Sequence, residues 1–410
     1  MFIERIATER LLRLARTFPV VVVTGARQVG KSTLLKHAFK NVSCVVLDPT
    51  VDIENARRDT ELFLNNHPPP LILDEIQYAP ELVAAIKRRI DLNRKPGSYI
   101  LTGSQQWGVL KSISESLAGR AVFLELEGFS LAEVARTKPR RTWLARWLAN
   151  PAKFLKSKPR RLKLKATLNE QLWRGWLPQA QFLPLQAIPD FQAAYQKTYI
   201  ERDARLLADV SDWQLFGRFM RLTAALTAQE INHSELGREL GLTSQTSRRW
   251  LDILKATFQW FEVPPYHGNA IKRISGKPKG YMADTGAACF AQVISTPQSI
   301  GAHPMLGALV ETAVAAEIRK QCATLSPPPN LYHWRSHGGA EVDFLLELDN
   351  VFFPIEVKAK SSPNRGDTSG VTAFRQTYPK LKIERGLVIA PTVQVLQISE
   401  MDYAMPWDLE

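Results

Sequence analysis

The pattern of apolar and polar positions divides this chain into a region of apolar strands, a helical middle and a second region of strands. The apolar runs VVVV at 20–23, LIL at 71–73 and YILT at 99–102 each lead into polar residues. Continuous apolar runs of this length are typical of parallel strands that are buried on both faces. We therefore expect a parallel sheet in the first third of the chain, with polar residues at the ends of its strands.

The middle of the chain has apolar residues at helical spacing between 170 and 230. The segment 232–266 then predicts a helix, a short turn at Gly241 and a second helix from 244 to 255, which is a helix-turn-helix pattern. Arg248 and Arg249 are expected to be exposed on that second helix, where they would contact phosphates or base edges of DNA. The alternative is a winged-helix module that serves only packing and oligomer contacts.

The segment AEVDFLLELDNVFFPIEVKAK at 340–360 alternates on both sides of Asp349-Asn350, which predicts a β-hairpin with a two-residue turn. Cross-strand partners would then have numbers that sum to 699, and one face of the hairpin would be apolar. The other face would set Asp343 opposite Glu356 and Glu341 opposite Lys358. Two opposed carboxylates repel by up to about 1 kcal/mol, and a divalent cation between them would remove that repulsion.

The first apolar run continues into GARQVGKS, which matches the pattern G-x4-G-K-[ST]. The glycines of this motif let backbone N–H groups point at phosphate oxygens, the lysine reaches the β- and γ-phosphates, and the hydroxyl suits Mg²⁺. We therefore expect ATP and Mg²⁺ as cofactors, with Lys31 as a catalytic residue and Ser32 as a metal ligand. The expected nucleotide-binding residues are Gly25, Ala26, Arg27, Gln28, Val29, Gly30, Lys31, Ser32 and Thr33.

Acidic and hydroxyl residues end the next two predicted strands. Asp74 would hold Mg²⁺ through water, and Glu75 would orient and polarise the water that attacks the γ-phosphate. Ser104 would place a hydroxyl near the same phosphate. The alternative for the two acids is an N-cap pair that opens a helix at 79–89.

Charge is concentrated in one part of the chain. Of the formal net charge of +13, twelve Lys and Arg without any acid lie between Val134 and Asn169, which leaves +1 for the remainder. Such a segment attracts polyanions, nucleic acid first and an anionic membrane second. Trp143, Trp147 and Phe154 would stack on bases or lie in a lipid interface. The alternative is a solvated, partly disordered insertion.

Length and composition exclude several classes of protein. At 410 residues the chain exceeds one hydrophobic core, and no apolar run approaches the roughly 20 residues of a membrane helix. The charged start MFIERIATER is unlike a secretory signal, and three cysteines without a CxxC pair indicate neither a disulfide framework nor a zinc site. We expect a cytoplasmic protein without integral membrane association.

The chain resembles the bacterial and archaeal AAA+ ATPases whose C-terminal domain of unknown function has a restriction-endonuclease-like core. The resemblance is carried, in order, by GARQVGKST, LILDEIQ, LTGSQQ, SLAGR, YIERDARLL, KPKGYMADTGAA, GAEVDF and IEVKAK. It implies an α/β fold with a P-loop AAA+ parallel sheet domain, a helical lid and winged-helix-like middle, and a C-terminal α/β restriction-endonuclease-like domain. The corresponding division is 1–135, a basic insertion at 136–169 that the resemblance does not cover, 170–230, 231–270 and 271–410.

The resemblance also implies roles for single residues of the ATPase. Ser104 would act as the sensor of the γ-phosphate, and Arg120 as an arginine finger. Because such a finger usually completes the site of a neighbouring subunit, a homo-oligomer is implied. Arg202 is another candidate for phosphate sensing, and for both arginines the alternative is a structural ion pair.

The hairpin resembles the PD-(D/E)XK nucleases, with Asp343, Glu356 and Lys358 as the implied catalytic residues. In that family a preceding helix supplies a further acid, which Glu311 matches, so the implied metal ligands here are Glu311, Asp343 and Glu356. Val342 replaces the proline of the family motif. Lys358 would stabilise the hydroxide or the phosphate at the metal. In the alternative, the fold persists without catalysis and Lys358 pairs with its two acids.

Taken together, the sequence predicts an Mg²⁺-dependent, ATP-hydrolysing AAA+ protein coupled to a DNA-binding, DNA-cleaving C-terminal domain. One alternative is an ATP-switched DNA-binding regulatory module without nuclease activity. Another is a membrane-peripheral switch that uses the Trp/Lys/Arg segment.

Overall fold

The computed structural model describes residues 2–48, 53–103, 116–137, 141–157, 159–198, 204, 210 and 212–410. The α-helices there are α1 Thr8–Thr17, α2 Lys31–Ala38, α3 Glu54–Arg58, α4 Thr60–Asn66, α5 Leu82–Leu92, α6 Leu131–Val134, α7 Trp143–Ala149, α8 Pro151–Lys156, α9 Leu168–Arg174, α10 Ile188–Thr198, α11 Trp213–Ala225, α12 His233–Arg238, α13 Ser244–Ala256, α14 Ala270–Ser275, α15 Thr285–Ala291, α16 Pro297–Ile300, α17 Leu306–Cys322 and α18 Ser369–Thr377. The strands are β1 Val20–Thr24, β2 Ser43–Val46, β3 Leu71–Asp74, β4 Tyr99–Gly103, β5 Ala121–Glu125, β6 Gln229–Glu230, β7 Trp260–Val263, β8 Lys279–Met282, β9 Asn330–Arg335, β10 Glu341–Leu348, β11 Val351–Val357, β12 Lys382–Ile383, β13 Gly386–Ala390, β14 Leu396–Gln397 and β15 Asp402–Pro406.

The first five strands form the expected parallel sheet, in the order β2-β3-β4-β1-β5. Every residue of β1, β3 and β4 is buried, as their continuous apolar runs predict. Val23 pairs with Thr102, and Leu73 pairs with Leu101, so these three strands end at the same level. The residues that follow β1, β3 and β4 therefore meet at one edge of the sheet.

The predicted helix, glycine turn and helix are present in the middle of the chain as α12 and α13. Gly241 has a φ of 68°, a left-handed conformation that glycine adopts without strain. Trp250 of α13 lies edge-on to Phe216 and Phe219 of α11, with ring centroids 5.4 Å apart in each case. Strands β6, β8 and β7 form a three-stranded sheet in that order. The domain boundary predicted at 271 therefore separates β8 from β6 and β7, the two strands with which it pairs.

The basic segment folds as part of the core. Trp143, Trp147 and Phe154 are at most 4% exposed, and the Trp147 ring lies 5.4 Å from that of Phe353 in β11. The interpretation that these aromatic side chains stack on bases or enter a lipid interface is therefore wrong. The disordered-insertion alternative is also wrong for 141–157 and 159–165, because helices α7 and α8 and the bridge from Arg161 to Leu409 order them.

The C-terminal sheet is mixed, in the order β14-β15-β13-β11-β10-β9 with β12 beside β11. The hairpin β10–β11 has the predicted register, from Phe344 opposite Ile355 to Leu348 opposite Val351. Its turn residues 349 and 350 have φ values of 51° and 61°, as a type I′ turn requires. The expectation that the hairpin buries only its apolar face is wrong, because most residues on both faces are buried, Asp343 and Glu356 included.

A β-bulge between Val342 and Leu345 explains part of this difference. It places Val342 in the same apolar cluster as Leu345 and Phe352, whereas Phe344 lies in the main core. A period-two pattern predicts the opposite side for Val342, and one extra residue in a strand reverses such an assignment.

One buried apolar cluster runs from Ala7 through the middle of the chain to Leu409. It includes residues of the parallel sheet, of α7 and α8, of the middle helices and of the C-terminal sheet. A second cluster covers the other face of the parallel sheet. Within the described part of the chain, no helix is both long and apolar enough to cross a membrane.

Candidate functional site

The loop between β1 and α2 has the conformation that a phosphate loop needs. Gly25, Gln28 and Gly30 have φ values of 145°, 61° and 91°. A Cβ atom on Gly25 would collide with the carbonyl oxygen of Leu126, so a side chain at this position would displace the loop from β5.

The loop opens onto the N-terminus of α2. Gly30 is the N-cap residue of this helix and provides no side-chain hydrogen bond, and Ser32 is its second residue. The first N–H groups of a helix attract anions. The buried ammonium of Lys31 donates to the carbonyl oxygens of Gly25 (2.8 Å) and Ala26 (3.0 Å). The helix dipole and this ammonium thus provide positive potential at the loop.

Asp74 and Glu75 lie at the end of β3, and Thr102 of β4 joins them. The Thr102 hydroxyl donates to the Asp74 carboxylate and accepts from the Glu75 N–H (2.9 Å). Glu75 has φ 63° and ψ 51°, a left-handed conformation that costs a non-glycine residue about 1–2 kcal/mol. Its carboxylate accepts from the Gln77 amide at 2.5 Å. Backbone strain of this kind is concentrated at functional sites.

The alternative of an N-cap pair is wrong. Helix α5 begins at Leu82 with Glu81 as its N-cap, rather than at 79 as predicted. Only β4 lies between β1 and β3, so the loop and the acids are separated by about two strand spacings, or about 10 Å. Ser32 carries a hydroxyl and Asp74 a carboxylate, which are ligand types that suit Mg²⁺ beside phosphate oxygens.

Arg120 lies far from the phosphate loop of its own chain. It precedes β5, its carbonyl accepts from the N–H of Val20 at the start of β1, and the loop begins at the other end of β1. Five residues of strand span about 16 Å. The Arg120 guanidinium is paired with Asp91 of α5 at 2.5 Å, which is the ion-pair alternative. Ser104 and Arg202 lie outside the described residues.

The sequence motifs did not indicate Arg5, which holds the phosphate loop by a hydrogen bond to the backbone of Val29. Its buried guanidinium donates to the carbonyls of Val29 (2.7 Å) and Glu127 (2.6 Å) and lies 3.0 Å from the Glu133 carboxylate. Glu133 also closes the capping box at the start of α6 with Ser130. A single buried arginine thus connects the phosphate loop to the segment after β5.

A cavity of about 280 Å³ lies between the loop and the middle of the chain. Ala26 and Val29 form its wall on the loop side, and Tyr195, Phe258 and Trp260 provide aromatic surface opposite. A ligand that extends from the loop into this cavity would contact both parts of the protein.

Two of the three predicted acids of the C-terminal domain contact one lysine. The Lys279 ammonium lies 2.6 Å from Glu311 Oε1 and 3.1 Å from Asp343 Oδ1. Tyr281 donates to the same Glu311 oxygen (2.7 Å), and the Val357 N–H donates to Asp343 Oδ2 (2.9 Å). Lys279, Tyr281 and Asp343 are buried, and the side chain of Glu311 is 14% exposed. The lysine and the tyrosine come from β8, outside the hairpin.

Glu356 and Lys358 form a pair of their own, 2.9 Å apart, and Glu356 Oε1 is buried without a hydrogen-bond partner among the residues that the structure describes. Burial, followed by the negative charge of Asp343, raises the pKa of Glu356 to about 9 and that of Glu311 to about 8. Burial opposes the charge of Lys279, but Asp343 and Glu311 outweigh it and raise the pKa of this ammonium.

The structure does not support the predicted arrangement of a metal shared by Glu311, Asp343 and Glu356. Among the residues that the structure describes, no group of three His, Cys, Asp or Glu side chains is placed to hold a metal ion. The amine of Lys279 stands between two of the three carboxylates. Among the described residues Lys358 pairs with Glu356 alone, whereas the non-catalytic alternative predicts a pairing with two acids.

Arg248 and Arg249 are exposed on α13, as predicted. Neither forms an ion pair in the described part of the chain. Their position leaves both side chains accessible to an anionic partner.

Comparison with protein families supports the class of the first domain. Residues 17–135 match an AAA domain, residues 165–298 match a domain of unknown function (DUF8612), and residues 306–409 match another domain of unknown function (DUF4143). The first third of the chain is thus similar to an AAA domain, which agrees with the loop and sheet described above. Neither of the two domains of unknown function is described as a nuclease.

Relatives cover the whole chain. It is 28% identical over 410 residues to the uncharacterized proteins Mb2031c of Mycobacterium bovis and Rv2008c of Mycobacterium tuberculosis, covering 85% of each. Among solved structures, the Walker-type ATPase PABY2304 of Pyrococcus abyssi is similar over 70% of this chain and 94% of that one, with 15% identity and a TM-score of 0.39. The Saccharomyces cerevisiae Hsp104–ADP complex is similar over 79% and 44%, with 12% identity and a TM-score of 0.30. Similarity at this level does not bear on function.

Proposed function

We propose that this protein binds ATP with Mg²⁺ and hydrolyses it. The observation that carries the proposal is the hydroxyl of Thr102, which holds Asp74 and the backbone of Glu75 at the sheet edge shared with the phosphate loop. The match of residues 17–135 to an AAA domain supports the same activity.

Each residue of the site then has a defined role. Backbone N–H groups of 25–33 and the start of α2 bind the phosphates, and the Lys31 ammonium exchanges loop carbonyls for phosphate oxygens. Ser32 and Asp74 would hold Mg²⁺, which neutralises phosphate charge when bound. Glu75 accepts a hydrogen bond from the attacking water and orients it toward the γ-phosphate. The cavity beside Ala26 and Val29 gives room for the nucleoside end.

Two substitutions test the proposal. Lys31→Ala removes the cation of the loop and is expected to abolish ATP binding in calorimetry. Glu75→Gln keeps the size of the side chain but not its basicity, so it should bind ATP normally and lose turnover by a factor of about 10² or more. Phosphate release by Glu75→Gln at the wild-type rate would contradict the role of Glu75. A calorimetric titration of the wild type with ATP that gives no heat would contradict the whole proposal.

We propose in addition that the protein binds DNA through its basic segment. Lys153 and Lys156 lie three residues apart on one face of α8. Lys163 and Lys165 alternate with the buried Leu162 and the half-buried Leu164. All four lysines are exposed, and none has an ion-pair partner in the described structure. Because the aromatic residues of this segment are buried, the surface offers charge without groups for base stacking or lipid insertion. Duplex phosphates suit it better than single strands or membranes.

The salt dependence of DNA binding tests this surface. Replacing all four lysines by alanine should weaken duplex binding and reduce the slope of log K against log salt by up to about 3.5. The matched control removes four exposed lysines elsewhere: Lys40, Lys95, Lys380 and Lys382. Equal effects in both variants, or binding to anionic vesicles in place of duplex, would contradict the proposal. Exposed Arg248 and Arg249 are proposed as a second contact and can be replaced in the same assay.

The ATPase could be coupled either to a DNA-cleaving domain or to a DNA-binding module that does not cleave. The module without cleavage has the better support. The reason is the position of Lys279 between Glu311 and Asp343. Plasmid DNA incubated with Mg²⁺ or Mn²⁺ should remain intact. Cleavage that is lost in Glu356→Ala would favour the nuclease form.

A further inference from the structure

We infer that Lys279 is a built-in cation that takes the place of a divalent metal in the C-terminal domain, so that this domain folds and works without a bound metal ion. The sequence motif KPKGYMADTGAA at 277–288 includes Lys279 and Tyr281, to which the proposed ATPase assigns no role, and these two residues supply polar groups that contact the acids.

The first step is the geometry around the ammonium. Lys279 is 7% exposed and lies 2.6 Å from Glu311 and 3.1 Å from Asp343. A divalent ion that bound both carboxylates at about 2.1 Å would occupy the same space. Placed beside the ammonium, it would meet a positive charge in a buried region where repulsion is poorly screened. The two cations therefore exclude each other.

The second step is the strand that delivers the lysine. Lys279 and Tyr281 are two residues apart on β8 and point to the same side. A Cβ atom on Gly280, between them, would collide with the Trp260 ring, so the close packing of β8 on β7 depends on glycine. This packing holds the amine and the phenol at the depth of Glu311.

The third step is the remaining donors. The Tyr281 hydroxyl donates a hydrogen bond to the Glu311 oxygen that Lys279 also contacts, and the Val357 N–H donates to the second oxygen of Asp343. Glu356 is held by Lys358. The ammonium groups of Lys279 and Lys358 thus supply the positive charge that a metal would supply in an open carboxylate site, and the two neutral donors add hydrogen bonds.

Manganese binding to the nucleotide-free full-length protein, followed by the electron paramagnetic resonance of free Mn²⁺, tests the inference. The wild type is expected to bind no Mn²⁺ that depends on Asp343. Lys279→Met, which keeps the length of the side chain but not its charge, should gain one Mn²⁺ per chain, and adding Asp343→Asn should remove it. Lys255→Met is the matched control, because Lys255 also pairs with two acids, Asp252 and Glu262.

Two results would overturn the inference. One is Mn²⁺ binding by the wild type that Asp343→Asn abolishes. The other is a folded Lys279→Met protein, judged by circular dichroism, that binds no Mn²⁺. If Lys279→Met does not fold, the wild type and its Asp343→Asn variant decide the question, since Asp343-dependent binding contradicts the inference and its absence supports it. None of these outcomes depends on ATP hydrolysis.

Discussion

At the scale of single residues, Thr102 shows how one hydroxyl organises two acids. It donates a hydrogen bond to Asp74 and accepts one from the N–H of Glu75, which has a left-handed backbone conformation. The hydroxyl therefore fixes the direction of the proposed metal ligand, Asp74, together with that of the proposed general base, Glu75. Neither acid needs to touch the other for both to depend on the same neighbour.

Thr102→Val tests this dependence. The substitution keeps the β-branched shape in a buried strand but removes both hydrogen bonds, so Glu75 loses its backbone partner. A displacement of about 1 Å costs up to about 10²-fold in rate, and we expect kcat to fall by about 10- to 100-fold with little change in ATP affinity. Thr102→Ser retains the hydroxyl and should retain most of the activity. Equal kcat values for the valine and serine variants would contradict the role of the hydroxyl.

Residues within one motif could be predicted from the sequence, whereas their distant partners could not. The phosphate loop and the acids at 74–75 are local patterns of spacing and burial. Thr102, Arg5 and Lys279 act on residues that are 24 or more positions away along the chain. No periodicity links such positions, so only the fold brings them together.

At the scale of elements, the hairpin β10–β11 shows where pattern reasoning succeeds and where it ends. Turn type and register followed from residues 349–350 and from alternation, because a two-residue turn determines the pairing. The bulge at Val342 and the helices α7 and α8 did not follow. A bulge changes the face on which a side chain lies without changing the period of the sequence pattern. The basic segment that contains α7 and α8 has many charged residues, so its sequence does not show that its few aromatic side chains are buried.

The hairpin also predicts a dependence of stability on pH. The pKa of Glu356 is raised to about 9 in the folded protein, chiefly by burial, so the native state holds a proton that the unfolded chain releases near its ordinary pKa. The stabilisation is complete below that ordinary pKa and is lost as pH rises through about 9. Thermal unfolding between pH 6 and 9 should therefore show a steeper decline for the wild type than for Glu356→Gln. Parallel plots of melting temperature against pH for the two proteins would contradict a raised pKa of Glu356.

At the scale of the whole molecule, the position of Arg120 requires a second copy if it acts in catalysis. Its guanidinium is paired with Asp91 at the opposite end of β1 from the phosphate loop. Within one chain it cannot reach the γ-phosphate. We therefore propose an oligomer in which Arg120 completes a neighbouring site.

Mixing two inactive variants tests this arrangement. Arg120→Ala should lower kcat by about 10³-fold, as loss of an arginine finger does, and Lys31→Ala should be inactive. In mixed assemblies the Lys31→Ala subunit still offers Arg120 to the intact phosphate loop of its neighbour, so part of the activity should return. Asp91→Ala is the control, since it removes the partner of Arg120 but not the arginine. A silent mixture of folded, associating variants would contradict the proposal.

The single apolar cluster from Ala7 to Leu409 has a practical consequence for anyone who wishes to study the parts separately. Cutting the chain between 298 and 306, where two family matches meet, would leave Glu311 and Asp343 without their counter-charge and expose apolar surface on both fragments. Such fragments should aggregate when expressed alone. Truncation experiments on this protein are therefore better replaced by point substitutions in the intact polypeptide.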